Sequence, residues 1–170
     1  MPFSLSARNV AATLMLAAAL LGAGCAKNQS GLQAGLAGGA GGAGGVATPG
    51  SAQDFQVNVG DRVFFETDQT SLNAQAMAVI DRQVQWLNQY PRYTFTVEGH
   101  ADERGTREYN LALGARRSTA VRDYMIARGI SANRMRTVSY GKERPVAVCD
   151  DISCWSQNRR AVTVLSGAGA

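Results

Sequence analysis

Between Gly31 and Gly50, nine of twenty residues are Gly and five are Ala. No other feature limits the fold as much. Such a stretch buries too little apolar surface to offset the entropy lost on ordering it. One globule spanning all 170 residues is therefore excluded. The tract extends to a nearly uncharged segment without aromatics, Lys27 to Gln53. It reads as a flexible tether of about 27 residues, with a coil reach of roughly 30 Å. The remainder of the chain, Asp54 to Ala170, is about 115 residues and long enough to bury a core unaided. Of the charged residues, 15 of 17 basic and all 13 acidic lie there, a net of +2. That balance does not call for a nucleic-acid partner. Fifteen of the basic residues are Arg and two are Lys, which favours planar recognition of carboxylates.

The first 24 residues read as a signal peptide. Arg8 and the amino terminus supply positive charge, and Val10 to Leu21 form an apolar run. The run is short for a membrane-spanning helix and right for a signal hydrophobic region. It ends in Gly22-Ala23-Gly24-Cys25. Small residues before a Cys resemble the bacterial lipobox, although Leu21 stands one place further back than the usual Leu. The alternative is an ordinary secretory signal that contains a Cys. Lipidation of Cys25 would anchor the chain to a membrane. Ala26, where an Asp would favour inner-membrane retention, points to the outer membrane, with the domain on its periplasmic face. The remaining cysteines, Cys149 and Cys154, lie five apart and read as a disulfide in an oxidising compartment. They lack redox-motif spacing, and a zinc site would need further ligands. No cofactor is called for.

Beyond the tether the pattern alternates. Asp61–Glu66 is rich in strand formers. Asn73 is placed to cap a helix whose Met77, Ile80, Val84 and Leu87 share one face, and Pro91 stops it. Tyr93–Glu98 alternates as a second strand. Thr106 is placed to cap a second helix, with Glu108 in its first turn. Tyr109, Leu113, Ala120, Val121 and Tyr124 would point to a core, and Gly129 would end the helix. Arg136–Tyr140 and Ala161–Leu165 are further strands, with a loop between them. The order is βαβαββ. The expected fold class is α/β, a two-layer sandwich with two main helices on a small four-stranded mixed sheet.

Chemistry concentrates in Glu98 to Arg117, EGHADERGTREYNLALGARR. Asp102 precedes the second helix, and Asn110 and Arg117 lie two turns apart on it. A carboxylate, an amide and a guanidinium near a helix start suit a zwitterion. Asp102 would take an ammonium, and Arg117 would hold a carboxylate through paired hydrogen bonds. Backbone N–H groups at the helix start offer a further carboxylate site. The plainer alternative has Asp102 capping its loop and Arg117 serving as a solvated or salt-bridged helix residue.

Taken together, GHADERGTREYN, LGARR, SYGKERP and NRRAV resemble the OmpA-like domain family, in its lipoprotein branch associated with peptidoglycan. The resemblance covers Gly60 to about Leu165, and the signal, Cys25 and tether match that layout. It implies non-covalent binding of peptidoglycan through meso-diaminopimelate of the stem peptide, which carries both an ammonium and a carboxylate. It implies Asp102 and Arg117 as principal contacts, supported by Asn110. Asp68 falls at a ligand-lining position, and Gln69 and Thr70 would add backbone contacts. Arg104 and Leu113 would form pocket wall, while Asn158, Arg159 and Arg160 would either brace the site or form only a structural network, the second being preferred. It also implies protein partners of the Tol system, TolB first among them, on a surface overlapping the ligand site. The Cys149–Cys154 pair departs from the usual family pattern.

Two other classes compete. A hydrolase or metal-dependent enzyme would use His100, Asp102 and Glu103, yet one His with loop carboxylates is an incomplete set. A nucleic-acid module would need exposed stacking aromatics, whereas Tyr93, Phe95, Tyr109 and Tyr124 fit core positions.

Overall fold

The structure, a computed structural model, describes residues 47–167. The signal segment, Cys25 and most of the tether lie outside the described residues. Among the described residues, no helix is long and apolar enough to cross a membrane.

Four strands and two long helices form two layers. A short helix, α1 (Ala52–Asp54), comes first and runs on as a π-helical turn, Phe55–Gly60. Strand β1 (Arg62–Phe64) leads to helix α2 (Ala74–Gln89), then β2 (Thr94–His100), α3 (Arg107–Ala127) and β3 (Met135–Gly141). Helix α4 (Ile152–Asn158) precedes β4 (Arg160–Ser166), and the sheet order is β1-β4-β2-β3. Strand β4 is antiparallel to both neighbours, and β2 and β3 are parallel. The expected mixed sheet is therefore present. Helix α4 lies where the sequence suggested only a loop. Its seven residues are too few for apolar periodicity to register.

Local signals explain the long helices. The Asn73 side chain accepts from the Ala76 N–H at 2.8 Å, and the Thr106 hydroxyl accepts from the Tyr109 N–H at 3.2 Å. Ile80, Val84 and Leu87 of α2 meet Val121 and Met125 of α3 over Val63, Phe95, Val97 and Ala161 of the sheet. Gly129 follows α3 with φ +94°, a left-handed conformation that costs glycine little. Tyr109 corrects the core expectation. It sits in the first turn of α3 and is 45 % exposed.

The tether expectation also changes at its end. Residues Ala47 to Gln53 pack on the domain instead of remaining free. Just after them, Phe55 is fully buried, with its ring 5.0 Å from that of Trp86. The Asp54 carboxylate accepts from the Trp86 indole at 2.8 Å and from the Gly50 N–H at 2.9 Å. The Tyr93 hydroxyl donates to the Gly50 carbonyl at 2.7 Å. An aromatic cluster with polar edges thus supplies partners that Gly and Ala lack of themselves.

Two glycines position the loop after β2. A Cβ on Gly99 would lie 1.9 Å from the Gly114 carbonyl oxygen, and one on Gly114 would lie 2.8 Å from the Gly99 oxygen. Helix α3 therefore crosses β2 with backbone against backbone. That close approach brings the Ala101–Gly105 loop beside the N-terminal half of α3.

Candidate functional site

Two loops face each other at the C-terminal end of β2. One follows β1 and carries Thr67 and Asp68. The other follows β2 and carries Asp102, Arg104 and Gly105. With Tyr109 they line a cleft of about 200 Å³. Asp68 has φ +56°, a left-handed conformation that Asp tolerates better than most residues. Its carboxylate accepts from the Tyr109 hydroxyl at 3.1 Å.

Asp102 is mostly buried and multiply bonded. Its Oδ2 accepts from Arg104 Nη2 at 2.6 Å and from Arg159 Nη1 at 3.4 Å. Its Oδ1 accepts from Arg104 Nε at 3.3 Å and from the Arg104 backbone N–H at 3.2 Å. Burial pushes this carboxyl up, but the Arg104 bonds and charge, with the Arg159 bond, outweigh it. The net shift is below the ordinary value, so Asp102 is ionised at neutral pH.

Arg117 departs from its expected role. It is 0 % exposed and presents no surface to a ligand. Its Nε donates to the Gln69 carbonyl at 2.9 Å, Nη1 to that of His100 at 2.8 Å and Nη2 to that of Glu66 at 3.1 Å. Its guanidinium also lies 5.1 Å from the Phe65 ring centroid. Burial pushes its pKa down to about 10, with Asp102 the leading opposing influence, and it stays charged at neutral pH. Arg117 thus stands behind the cleft and ties both loops together. The expectation of paired bonds to a ligand carboxylate is corrected here. Three of its five N–H groups already serve the protein.

The other expected residues divide. Asp68 and Arg104 line the cleft. Asn110 is buried and donates through Nδ2 to the Arg104 carbonyl at 2.7 Å, so it pins the loop. Leu113 is buried and is not cleft wall. The Gln69 N–H donates to the Glu66 carbonyl at 3.1 Å, closing the turn, and its carbonyl serves Arg117. Neither Gln69 nor Thr70 lines the cleft, because the turn directs Thr67 and Asp68 there instead. Arg159 reaches the site, whereas Asn158 and Arg160 brace the β3–β4 connection. The Asn158 amide accepts from the Val146 N–H at 2.9 Å and donates to the Ala147 carbonyl at 2.8 Å, and Arg160 Nη2 donates to the Arg144 carbonyl at 3.1 Å.

Sequence reasoning missed Tyr109 and Trp155. Tyr109 has helical spacing that matches a core residue, so no local signal marked it. Trp155 sits on the unexpected α4, with the Arg104 guanidinium 4.2 Å from its ring centroid. Its indole N–H donates to Glu103. Cys149 and Cys154 are disulfide-bonded, with Cα atoms 5.6 Å apart, as the cysteine count indicated.

The three residues of the enzymatic alternative do not converge. His100 is 2 % exposed, and neither ring nitrogen has a hydrogen-bond partner. Its Nε2 is 3.6 Å from Glu98, and neither ring nitrogen bonds to Asp102 or Glu103. Burial first, then the Arg160 and Arg144 charges, push its pKa down to about 4. Among the described residues, no group of three His, Cys, Asp or Glu side chains could hold a metal.

The OmpA family model matches residues 64–159, and the chain belongs to that family. It is 66 % identical over 165 residues to a peptidoglycan-associated lipoprotein of Rhizobium meliloti, covering 96 % of this chain and 92 % of that one. It is 56 % identical over 166 residues to a protein of the same name from Brucella melitensis, covering 98 % and 96 %. These relatives put it, within the family, among the peptidoglycan-associated lipoproteins. The crystal structure of the peptidoglycan-associated lipoprotein from Burkholderia pseudomallei is similar, with 42 % identity and a TM-score of 0.61, covering 62 % of this chain and 90 % of that one. The C-terminal domain of Helicobacter pylori MotB is similar at 26 % identity and a TM-score of 0.59, covering 62 % and 84 %.

Proposed function

We propose that this chain is an outer-membrane lipoprotein that binds peptidoglycan without cutting it. Cys25 carries the lipid, the Gly/Ala segment gives slack, and the cleft grips meso-diaminopimelate of the stem peptide. The observation that carries the reading is the ionised Asp102 at a cleft between two loops, with the buried Arg117 charge behind it. A carboxylate at the cleft attracts the ligand ammonium. The ligand carboxylate is drawn by the Arg117 charge. Arg117 is therefore a positioning residue that holds the loops at their spacing. Asp68 and Tyr109 close the far wall.

The placement of the ends supports tethering. The chain enters the domain beside Tyr93, at the start of β2, and the cleft lies beyond the end of that strand. The length of β2 separates the two by roughly 20 Å. An anchored domain could thus turn its cleft away from the membrane. By family resemblance the protein partners are Tol proteins, with TolB the first to test, and the process served is envelope integrity during division.

Calorimetric titration with stem peptides tests the ligand. The peptide bearing meso-diaminopimelate should bind, while its amidated form and a Lys analogue should bind more weakly. Asp102→Asn should remove binding and also lower stability, because the buried Arg159 loses its charged partner, so circular dichroism confirms that the variant is folded at the titration temperature. Equal binding of all three peptides, or of none, refutes the reading and makes TolB the next ligand to assay.

A further inference from the structure

The carboxylate assigned to the ligand already holds a cation. Arg104 approaches Asp102 from the cleft side, with Nη2 2.6 Å from Oδ2 and Nε 3.3 Å from Oδ1. The Arg104 side chain is 42 % exposed. Arg159 approaches the same carboxylate from the protein interior. Its side chain is only 5 % exposed, and its Nε donates to the Phe65 carbonyl at 3.1 Å. Asp102 therefore has an inner partner locked to the fold and an outer partner free to leave. A ligand ammonium has the same charge as the outer guanidinium and needs the same oxygens.

We infer that Arg104 is a built-in competitor, an internal stand-in for the ligand's ammonium that must move off Asp102 before the ligand binds. This rests on the cleft being the stem-peptide site. Two features suit Arg104 to the part. Its guanidinium lies over the Trp155 ring while it is bonded to Asp102, so that indole senses its departure. Trp155 is itself held by its bond to Glu103. When Arg104 leaves, Asp102 keeps Arg159, so no buried charge is stranded.

Competition and direct contact leave different signatures. A closed fraction of the protein lowers every ligand's affinity by the same factor, because the penalty belongs to the protein. A direct contact would act on only those ligands that carry the contacted group.

The test compares wild type, Arg104→Gln and Asp102→Asn, each as the purified full chain, by calorimetry with the diaminopimelate stem peptide and its Lys analogue. Arg104→Gln should tighten binding about threefold to tenfold, the range for an exposed but doubly bonded ion pair. The factor should be the same for both peptides. Ligand should also change Trp155 fluorescence in wild type as the guanidinium moves, and Arg104→Gln should lose that change. Weaker diaminopimelate binding by Arg104→Gln would make Arg104 a ligand contact and overturn the inference. Unchanged binding overturns it equally. If Asp102→Asn loses binding but Arg104→Gln gains none, the site reading survives and only the competitor role falls. If wild type binds neither peptide, both fall.

Discussion

Replacing Arg117 by Ala is the sharpest probe of how the site is held. The change removes donors from three backbone carbonyls at once, those of Gln69, His100 and Glu66. Each buried carbonyl left unpaired costs about 1–3 kcal/mol. Relief of the buried charge and water entering the vacated space offset part of this. A net loss of about 3–5 kcal/mol remains, which is a large share of an ordinary domain's stability. With a urea slope of about 2 kcal/mol per molar, the unfolding midpoint should fall by about 2 M. Stem-peptide binding should fail as well, since the Glu66–Gln69 turn loses its tie to the β2–α3 loop. Arg117→Lys should recover little, because one ammonium cannot reproduce the planar fork. Chemical unfolding followed by circular dichroism, alongside calorimetry, checks both effects. A variant that loses peptide binding but unfolds at the wild-type urea concentration would refute the brace and restore Arg117 as a direct ligand contact.

Three further outcomes are expected. His100 is held neutral in the folded state down to a pKa of about 4, against about 6.5 when unfolded, so the unfolded chain binds more protons between those values. Stability should therefore fall as pH drops from about 6.5 toward 4, by about 3 kcal/mol at most, and His100→Phe should flatten that slope in urea midpoints measured across the range. Gly114→Ala should cost about 2–3 kcal/mol and weaken peptide binding, because the new methyl meets Ser139 Oγ at 2.4 Å and the Gly99 oxygen at 2.8 Å; an unchanged melting temperature would count against the close crossing. Reducing the Cys149–Cys154 disulfide, which spans five positions, should cost about 2 kcal/mol. Calorimetric melting with and without reductant tests this, and identical melting curves would show that the bridge contributes nothing.

Much of the fold is legible residue by residue. Asn73 and Thr106 announce helix starts because a cap bonds only two or three positions ahead. The alternation in Tyr93–Glu98 announces a strand because side chains there point to opposite faces. The buried stripe of α3 is harder to read. It mixes Asn110, Gly114, Arg117 and Ser118 with Leu113, Val121 and Met125, because its N-terminal half faces polar loops rather than the apolar core. Helix α4 escaped because seven residues carry no period. The docking of the segment before Phe55 escaped because the Gly50 carbonyl accepts from Tyr93, 43 positions away, and Asp54 accepts from Trp86, 32 positions away.

Within the described residues, the sequence by itself announced the order of the main elements, the cysteine pair and the residue types gathered after β2. Those properties depend on composition and on neighbours a few positions away. Only the tertiary structure decided what Asp102 and Arg117 bond to. Spacing places an Arg on a helix face, but it cannot show that carbonyls 48 and 51 residues distant converge on it. A carboxylate before a helix can be named from the chain, while its inner partner, Arg159, lies 57 positions away. The balance between holding a ligand and holding the protein together is set by burial and by which groups the fold brings within hydrogen-bond reach, and neither quantity is local.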